Sequence, residues 1–357
     1  MSKWACEYCM FEQGLSGEIE LGLGSVSDSS FKFGEYNGLY EDGPFLIANA
    51  TASYVGEDAA YYHLKVRDLG PDNRLIDIEG GQQGSYRLFL NYDEITHAIS
   101  DSASTPYLGS GSNLLLLPSG WTRAGSTAGM TDLNTSLNSV DLKTQRKRLT
   151  VGAELILSSE WETAFSGRHE ERTGQKRSAG AFLFSSAQLV EPVDYATDEL
   201  NISLSYNTRK WQSRLAYYGS FFSNNDESLT WQNAYTGADA GRSALAPDNE
   251  FHQLSLNGGY TLPYHSRLTG LLSTGRMTQN QNFQPYTINT AVTTTPLPRS
   301  SLDGEIWLKT APLKLSSRPV NKLQLNAKLH SNERDNKTPL DTKNNIFMDY
   351  PPINIKQ

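Results

Sequence analysis

Gly17-Glu18-Ile19-Glu20-Leu21-Gly22-Leu23-Gly24-Ser25 is the stretch on which the fold turns. Ile19, Leu21 and Leu23 alternate with Glu18, Glu20 and glycine, the period of a strand with two unlike faces. The same rhythm recurs to the end of the chain. In 199–207, Ile202, Leu204 and Tyr206 oppose Asn201, Ser203, Ser205 and Asn207. In 251–262, His252, Leu254, Leu256 and Tyr260 oppose Gln253, Ser255 and Asn257. In 320–330, Leu323, Leu325, Ala327 and Leu329 oppose Lys322, Gln324, Asn326 and Lys328.

About fourteen such candidates of ~9–12 residues are expected, close to the length of a tilted strand that crosses a bilayer. Short connections (207–210, 262–264) are set against long ones (93–148, 223–249, 277–302). That asymmetry fits the short periplasmic turns and long external loops of an outer-membrane barrel. Gly80-Gly81 and the charged run His169–Arg177 read as turns. Asp303–Thr310 and Val320–His330 read as one antiparallel pair. Leu114-Leu115-Leu116-Leu117 reads as a packing contact within the loop 93–148. Tyr61, Tyr62, Tyr92, Trp161, Tyr217, Tyr218, Phe221, Phe222, Tyr260, Tyr264 and Trp307 suit interfacial girdles.

Composition agrees. Only 38% of the 357 residues are apolar, and no run approaches the ~18 apolar residues of a spanning helix. A barrel strand needs an apolar residue only at every second position. The net charge of −8 excludes a nucleic-acid partner, which requires clustered Lys and Arg. The expected class is all-β, a large antiparallel transmembrane barrel. Residues 1–16 form a periplasmic arm and 17–357 the strands and loops. The close at Tyr350-Pro351-Pro352 lacks the usual final strand, so the C-terminal part of the barrel is expected to be missing. No secretory signal is read, since Met1-Ser2-Lys3 leads straight to Trp4. Either the protein is cytosolic or a leader was not included.

The sharpest chemical feature is Cys6-Glu7-Tyr8-Cys9, which holds both cysteines of the chain. Such a pair can be redox-active, half of a zinc site, or a plain disulfide or idle thiol pair. Met10 stands where covalent haem attachment needs His. No nucleophile elbow, zinc-protease motif or dinucleotide fingerprint is present, so no catalytic set and no metal site are read. Glu18, Glu20, Glu154, Glu305 and Lys328 are the residues expected to face a barrel lumen and to touch whatever it holds.

The Cys-x-x-Cys arm, the strand Gly17–Ser25 and the segment Ser30-Phe31-Lys32-Phe33-Gly34-Glu35-Tyr36-Asn37-Gly38-Leu39 together resemble the MtrB/PioB family of decahaem-associated outer-membrane barrels. The resemblance is strongest over about residues 4–70, and the chain corresponds to the N-terminal half of a family member. It implies a sheath, not an enzyme, enclosing a periplasmic multihaem cytochrome c within the outer membrane. Electrons would pass to or from an external donor or acceptor, with an extracellular multihaem cytochrome as a further partner. Haem would belong to the partner and none to this chain. Two other readings stand beside it: a general outer-membrane porin, and a soluble all-β thiol-disulfide protein.

Overall fold

The computed structural model describes residues 13–182, 185–345 and 353–356. One antiparallel sheet dominates it. Its first staves are β1 (Gly14–Val26), β2 (Gly43–Val55), β3 (Ala60–Arg67), β4 (Leu75–Gln82) and β5 (Tyr86–Thr105). A two-residue β6 (Leu114–Leu115) lies in a loop. Then come β7 (Asn138–Ile156), β8 (Trp161–Phe182), β9 (Ser185–Asn207) and β10 (Trp211–Asn224). Short strands β11 (Ser228–Gln232) and β12 (Ala240–Ala244) precede β13 (Asn249–Leu262) and β14 (Ser266–Gln279). The rest are β15 (Gly304–Thr310), β16 (Leu313–Val320), β17 (Leu323–Leu329), β18 (Asn332–Asn336), β19 (Thr342–Asn345) and β20 (Ile353–Lys356).

The sheet runs β1-β2-β3-β4-β5-β7-β8-β9-β10-β13-β14. Beyond β14, β15 and β16 line up end to end, as do β18 and β17. Ala311-Pro312 marks the first of these breaks, because proline has no N–H for the ladder. Each pair thus makes one interrupted stave. Among the described residues the outer edge of β1 has no strand partner, and the far edges of β17 and β18 have none. The architecture is an outer-membrane-type β-barrel that does not close.

Strict register gives the sheet two faces. Ile19, Leu21 and Leu23 sit opposite Ala50, Ala48 and Leu46, and the same face continues through Leu64, Ile78, Leu90 and Val151. It runs on through Ile202, Leu215, Leu256, Leu272, Leu315 and Ala327. This face is an open apolar belt: Leu21 is 71% exposed and Leu272 61%. Such a surface is stable only against hydrocarbon, since each leucine taken from water contributes about 1.5–3 kcal/mol. At the short-turn end the belt is bordered by cross-strand aromatic pairs: Tyr54 with Tyr62, Trp161 with Tyr206, and Trp211 with Tyr260. These amphipathic rings suit the headgroup level. Tyr61, Tyr218 and Phe222 fall on the opposite, polar face and do not join the girdle.

β5, β7, β8 and β9 are 20, 19, 22 and 23 residues long, about twice what a crossing needs, and so continue well beyond the belt. His169–Arg177 is therefore not a turn but the middle of β8. Both faces there meet water, and charges pair across strands: Arg148 with Glu170 at 2.7 Å, Lys176 with Glu191 at 2.8 Å, and Arg168 with Glu199. The loop expected over 93–148 shrinks to 106–137.

β5 outgrows its neighbour β4, leaving a bare upper edge. Two loops cover it. The N–H groups of Glu94, Thr96 and Ala98 donate to Arg74 O, Asn73 Oδ1 and Glu35 O. The segment 31–39 is thus an edge cover, the device that keeps an exposed strand from pairing with a stranger. Phe31 and Tyr40 are buried against Ala98. Asn37 accepts from the Leu39 N–H and Gly38 turns the chain at φ +73°, where a Cβ would strike the Asp72 N at 2.9 Å.

Gly80 and Gly81 lie inside β4, and the turn comes at Gln83-Gly84-Ser85. The glycines make room: a Cβ at Gly80 would meet the Tyr62 ring at 2.5 Å. Gly152 does the same for Phe89, whose ring lies 2.3 Å from where a Cβ would stand. Gly152→Val is expected to lower stability by about 1–3 kcal/mol. In the full-length protein it should read as a drop in the temperature at which the folded band disappears in heat-modifiable gel migration. Asp303–Thr310 does not pair with Val320–His330. β15 pairs β14 and β18, and β17 pairs β16.

Candidate functional site

The opposite face of the sheet is the candidate site. At bilayer depth its middle is floored by small side chains, Gly152, Ala164, Ser166, Ser203, Ala216 and Ser255, in one register row after another. Phe89, Arg214 and Tyr218 border a shallow recess of about 460 Å³ over them. Toward the short turns Arg87 bridges two carboxylates. Its Nη2 donates to Glu79 Oε2 at 2.7 Å and its Nη1 to Glu154 Oε1 at 3.2 Å. His63, Tyr61 and Glu162 complete a recess of about 480 Å³ there. Ser53 Oγ and His63 Nδ1 are 2.9 Å apart.

Glu18, Glu20, Glu154 and Lys328 lie on this polar face by register. Glu20 accepts from Asn49 Nδ2 at 2.9 Å, Glu18 stands opposite Thr51, and Lys328 stands opposite Lys314. Glu305 does not belong with them. It shares a face with Trp307 and Arg276, the face that carries the apolar belt lower down, and lies above that belt. It binds the Arg276 Nε at 2.7 Å and accepts from the Trp307 indole N–H at 3.0 Å. Residues missed in the sequence reading are Arg87, Arg214 and Arg267, each on an alternating strand whose polar face was legible. The structure brings Glu154 to Arg87, and among the described residues no cluster of potential metal ligands occurs. Cys6 and Cys9 lie outside the described residues.

At the long-loop end the loops fold into a cap. Leu114–Leu115 pairs in parallel with β11, and β12 completes a small sheet. Leu115, Leu117, Tyr107, Met130, Leu189, Leu229 and Trp231 form its core, with Leu115 fully buried. The leucine run is thus a packing contact with a short strand inside it. Tyr107 donates its hydroxyl to Gln232 O at 3.0 Å, and burial pushes its pKa up to about 12. Asp132 ties the cap loop by accepting from the Thr122 hydroxyl (2.8 Å) and N–H (3.1 Å). These donors hold its carboxyl below the usual value. A depressed folded-state pKa means that this tie acts above the ordinary Asp range and is lost as the pH falls through the lowered value. Protease resistance of 119–135 is expected to fall only in acid below the ordinary Asp range, and Asp132→Asn to show the same loss at neutral pH.

The comparisons with known proteins decide the family. The family described as "Putative outer membrane beta-barrel porin, MtrB/PioB" matches residues 25–349. This chain belongs to the MtrB/PioB family. Outer membrane protein MtrB of Shewanella baltica (strain OS185) is 34% identical over 345 residues, 96% of this chain and 49% of that protein. The chain therefore spans about half the length of this relative. Among solved structures, the trimer form of OmpT of Vibrio cholerae has a TM-score of 0.34 at 8% identity and covers 96% of both chains. The copper transporter OprC has a TM-score of 0.34 at 8% identity, covering 90% of this chain and 57% of its own. Neither likeness is close enough to position a residue. This MtrB/PioB chain is an outer-membrane chain that crosses by strands. Its family is one of porin-like barrels, not of enzymes.

Proposed function

We propose that this chain forms part of an outer-membrane sheath that holds a periplasmic multihaem cytochrome c across the bilayer, for electron transfer to or from the cell exterior. The observation that carries the reading is the polar face at bilayer depth. Its middle is floored by small residues, and toward the short turns Arg87 pairs with Glu79 and Glu154 within the wall, so the face offers a guest a smooth polar surface. The lipid-facing belt supports insulation of that guest. Haem is the partner's, not this chain's, and an extracellular multihaem cytochrome is a second partner at the cap. Cys6 and Cys9 serve the periplasmic arm as a redox or disulfide pair.

Purification of the full-length protein from its native outer membrane tests the reading. A haem Soret band comigrating with the barrel in fixed ratio is the expected result. A haem-free barrel that conducts small ions in planar bilayers would overturn it. That outcome favours the second reading, a general porin, to which the family's own description lends weight.

A further inference from the structure

The charges on the polar face are segregated around the wall. On β1 to β8, at belt depth and toward the short turns, carboxylates prevail: Glu18, Glu20, Asp77, Glu79, Glu154 and Glu162. The cations among them are Lys65, Arg67 and Arg87. On β10 to β17 the pattern inverts. Arg214, Arg267, Lys314 and Lys328 occupy the polar face, and among the described residues of that arc no carboxylate shares it. None of the four is in an ion pair within the described residues. Arg214 donates to Ser203 Oγ at 3.0 Å and Arg267 to Gln212 Oε1.

Two details favour an anionic partner for this arc. Lys314 and Lys328 stand directly opposite each other in the β16–β17 register, an arrangement that is destabilising in isolation. Arg214 and Arg267 also line one recess of about 370 Å³, floored by Gly258, Gly259 and Gly270. That floor leaves both guanidinium groups open to a partner.

We infer that β10 to β17 form a docking strip for a carboxylate-rich face of the enclosed cytochrome, and that the acidic arc opposite receives a Lys/Arg-rich face. The segregated wall then fixes the guest's rotation about the barrel axis. This rests on the proposed function. Complementary fields steer encounter and set register even where each exposed pair is weak.

The test uses the full-length protein in its native membrane. A photo-crosslinking amino acid is placed at Thr269 on the cationic arc or at Thr51 on the acidic arc, and captured cytochrome peptides are identified by mass spectrometry. Peptides from Thr269 should be rich in Asp and Glu, and those from Thr51 rich in Lys and Arg. The combined variant Arg214→Glu, Arg267→Glu, Lys314→Glu, Lys328→Glu should lower cytochrome retention about tenfold and abolish the difference between the two sites. Heat-modifiable migration reports whether that variant folds. Where it does not, Arg267→Gln with Lys328→Gln replaces it, with a smaller loss in the same direction. Retained cytochrome whose captured peptides show no charge bias, or whose retention the variants leave unchanged, overturns the inference alone. A wild-type barrel without cytochrome overturns both this inference and the proposed function.

Discussion

Refolded by itself into detergent or lipid vesicles, the 357-residue chain is expected to aggregate or stay unincorporated. The reason lies in the two edges of the sheet. β1 is 13 residues long and, among the described residues, pairs only with β2, while β17 and β18 likewise have one free side. In hydrocarbon each unsatisfied backbone N–H or C=O costs several kcal/mol, so a full-length edge far outweighs a domain's whole stability of ~5–15 kcal/mol. The side chains of β1 give no protection. Leu15, Ile19, Leu21 and Leu23 are between 71% and 88% exposed, without the edge lysines and prolines that deter stray pairing. Sedimentation and protease digestion after refolding make the check. A monodisperse, protease-resistant, heat-modifiable species would sink the idea, whereas rescue by added strands that pair with β1 and β17 would strengthen it.

In the full-length protein, Trp231→Ala should melt the cap and leave the wall standing. Trp231 is 4% exposed and packs edge-on to Phe182, with ring centroids 5.8 Å apart. Gly180 and Gly241 make room for its ring, since a Cβ at either would lie within 2.6 Å of it. Truncating a buried tryptophan costs about 3–5 kcal/mol, and the cap core is small. New proteolytic cuts in 106–137 and 225–248 are expected, with heat-modifiable migration of the barrel unchanged. Trp231→Phe separates packing from polarity. The indole N–H is buried with no hydrogen-bond partner among the described residues, so removing it relieves a desolvation cost. This second variant should keep most of the cap's protease resistance. Loss of the barrel band in Trp231→Ala would mean that cap and wall fold as one unit.

Alternation was legible wherever one face of a strand meets lipid and the other water. Ile202, Leu204 and Tyr206 against Asn201, Ser203 and Ser205 is such a case, and the structure keeps that division. It failed where both faces are wet. In His169–Arg177 no apolar row marks the strand, and a charged run resembles a turn until its cross-strand partners are known. The same loss of contrast misled the reading of Glu305. Ile306 and Leu308 look lipid-facing beside Glu305 and Lys309, yet above the belt hydrophobicity no longer tells in from out. Only the register carried up from Leu272 and Leu315 does. Gly80-Gly81 failed for another reason, because a glycine that admits Tyr62 and one that turns a chain read alike. The segregated charge of the wall was hidden because it is a property of strand order. Arg214, Arg267, Lys314 and Lys328 are far apart in sequence and come onto one arc only when β10, β13, β14, β16 and β17 are set in order.

The unequal reach of the strands has one more consequence. β3 and β4 stop after 8 residues each, while β8 and β9 run to 22 and 23. At ~3.3 Å per residue and a strand tilt of about 40°, the tall flank overtops the low one by roughly 35 Å. The long-loop mouth is thus a slope whose low rim is made by the loops 31–39 and 72–74. A bulky visitor from outside meets the flank of the tower rather than its top, and it would reach the interior sideways.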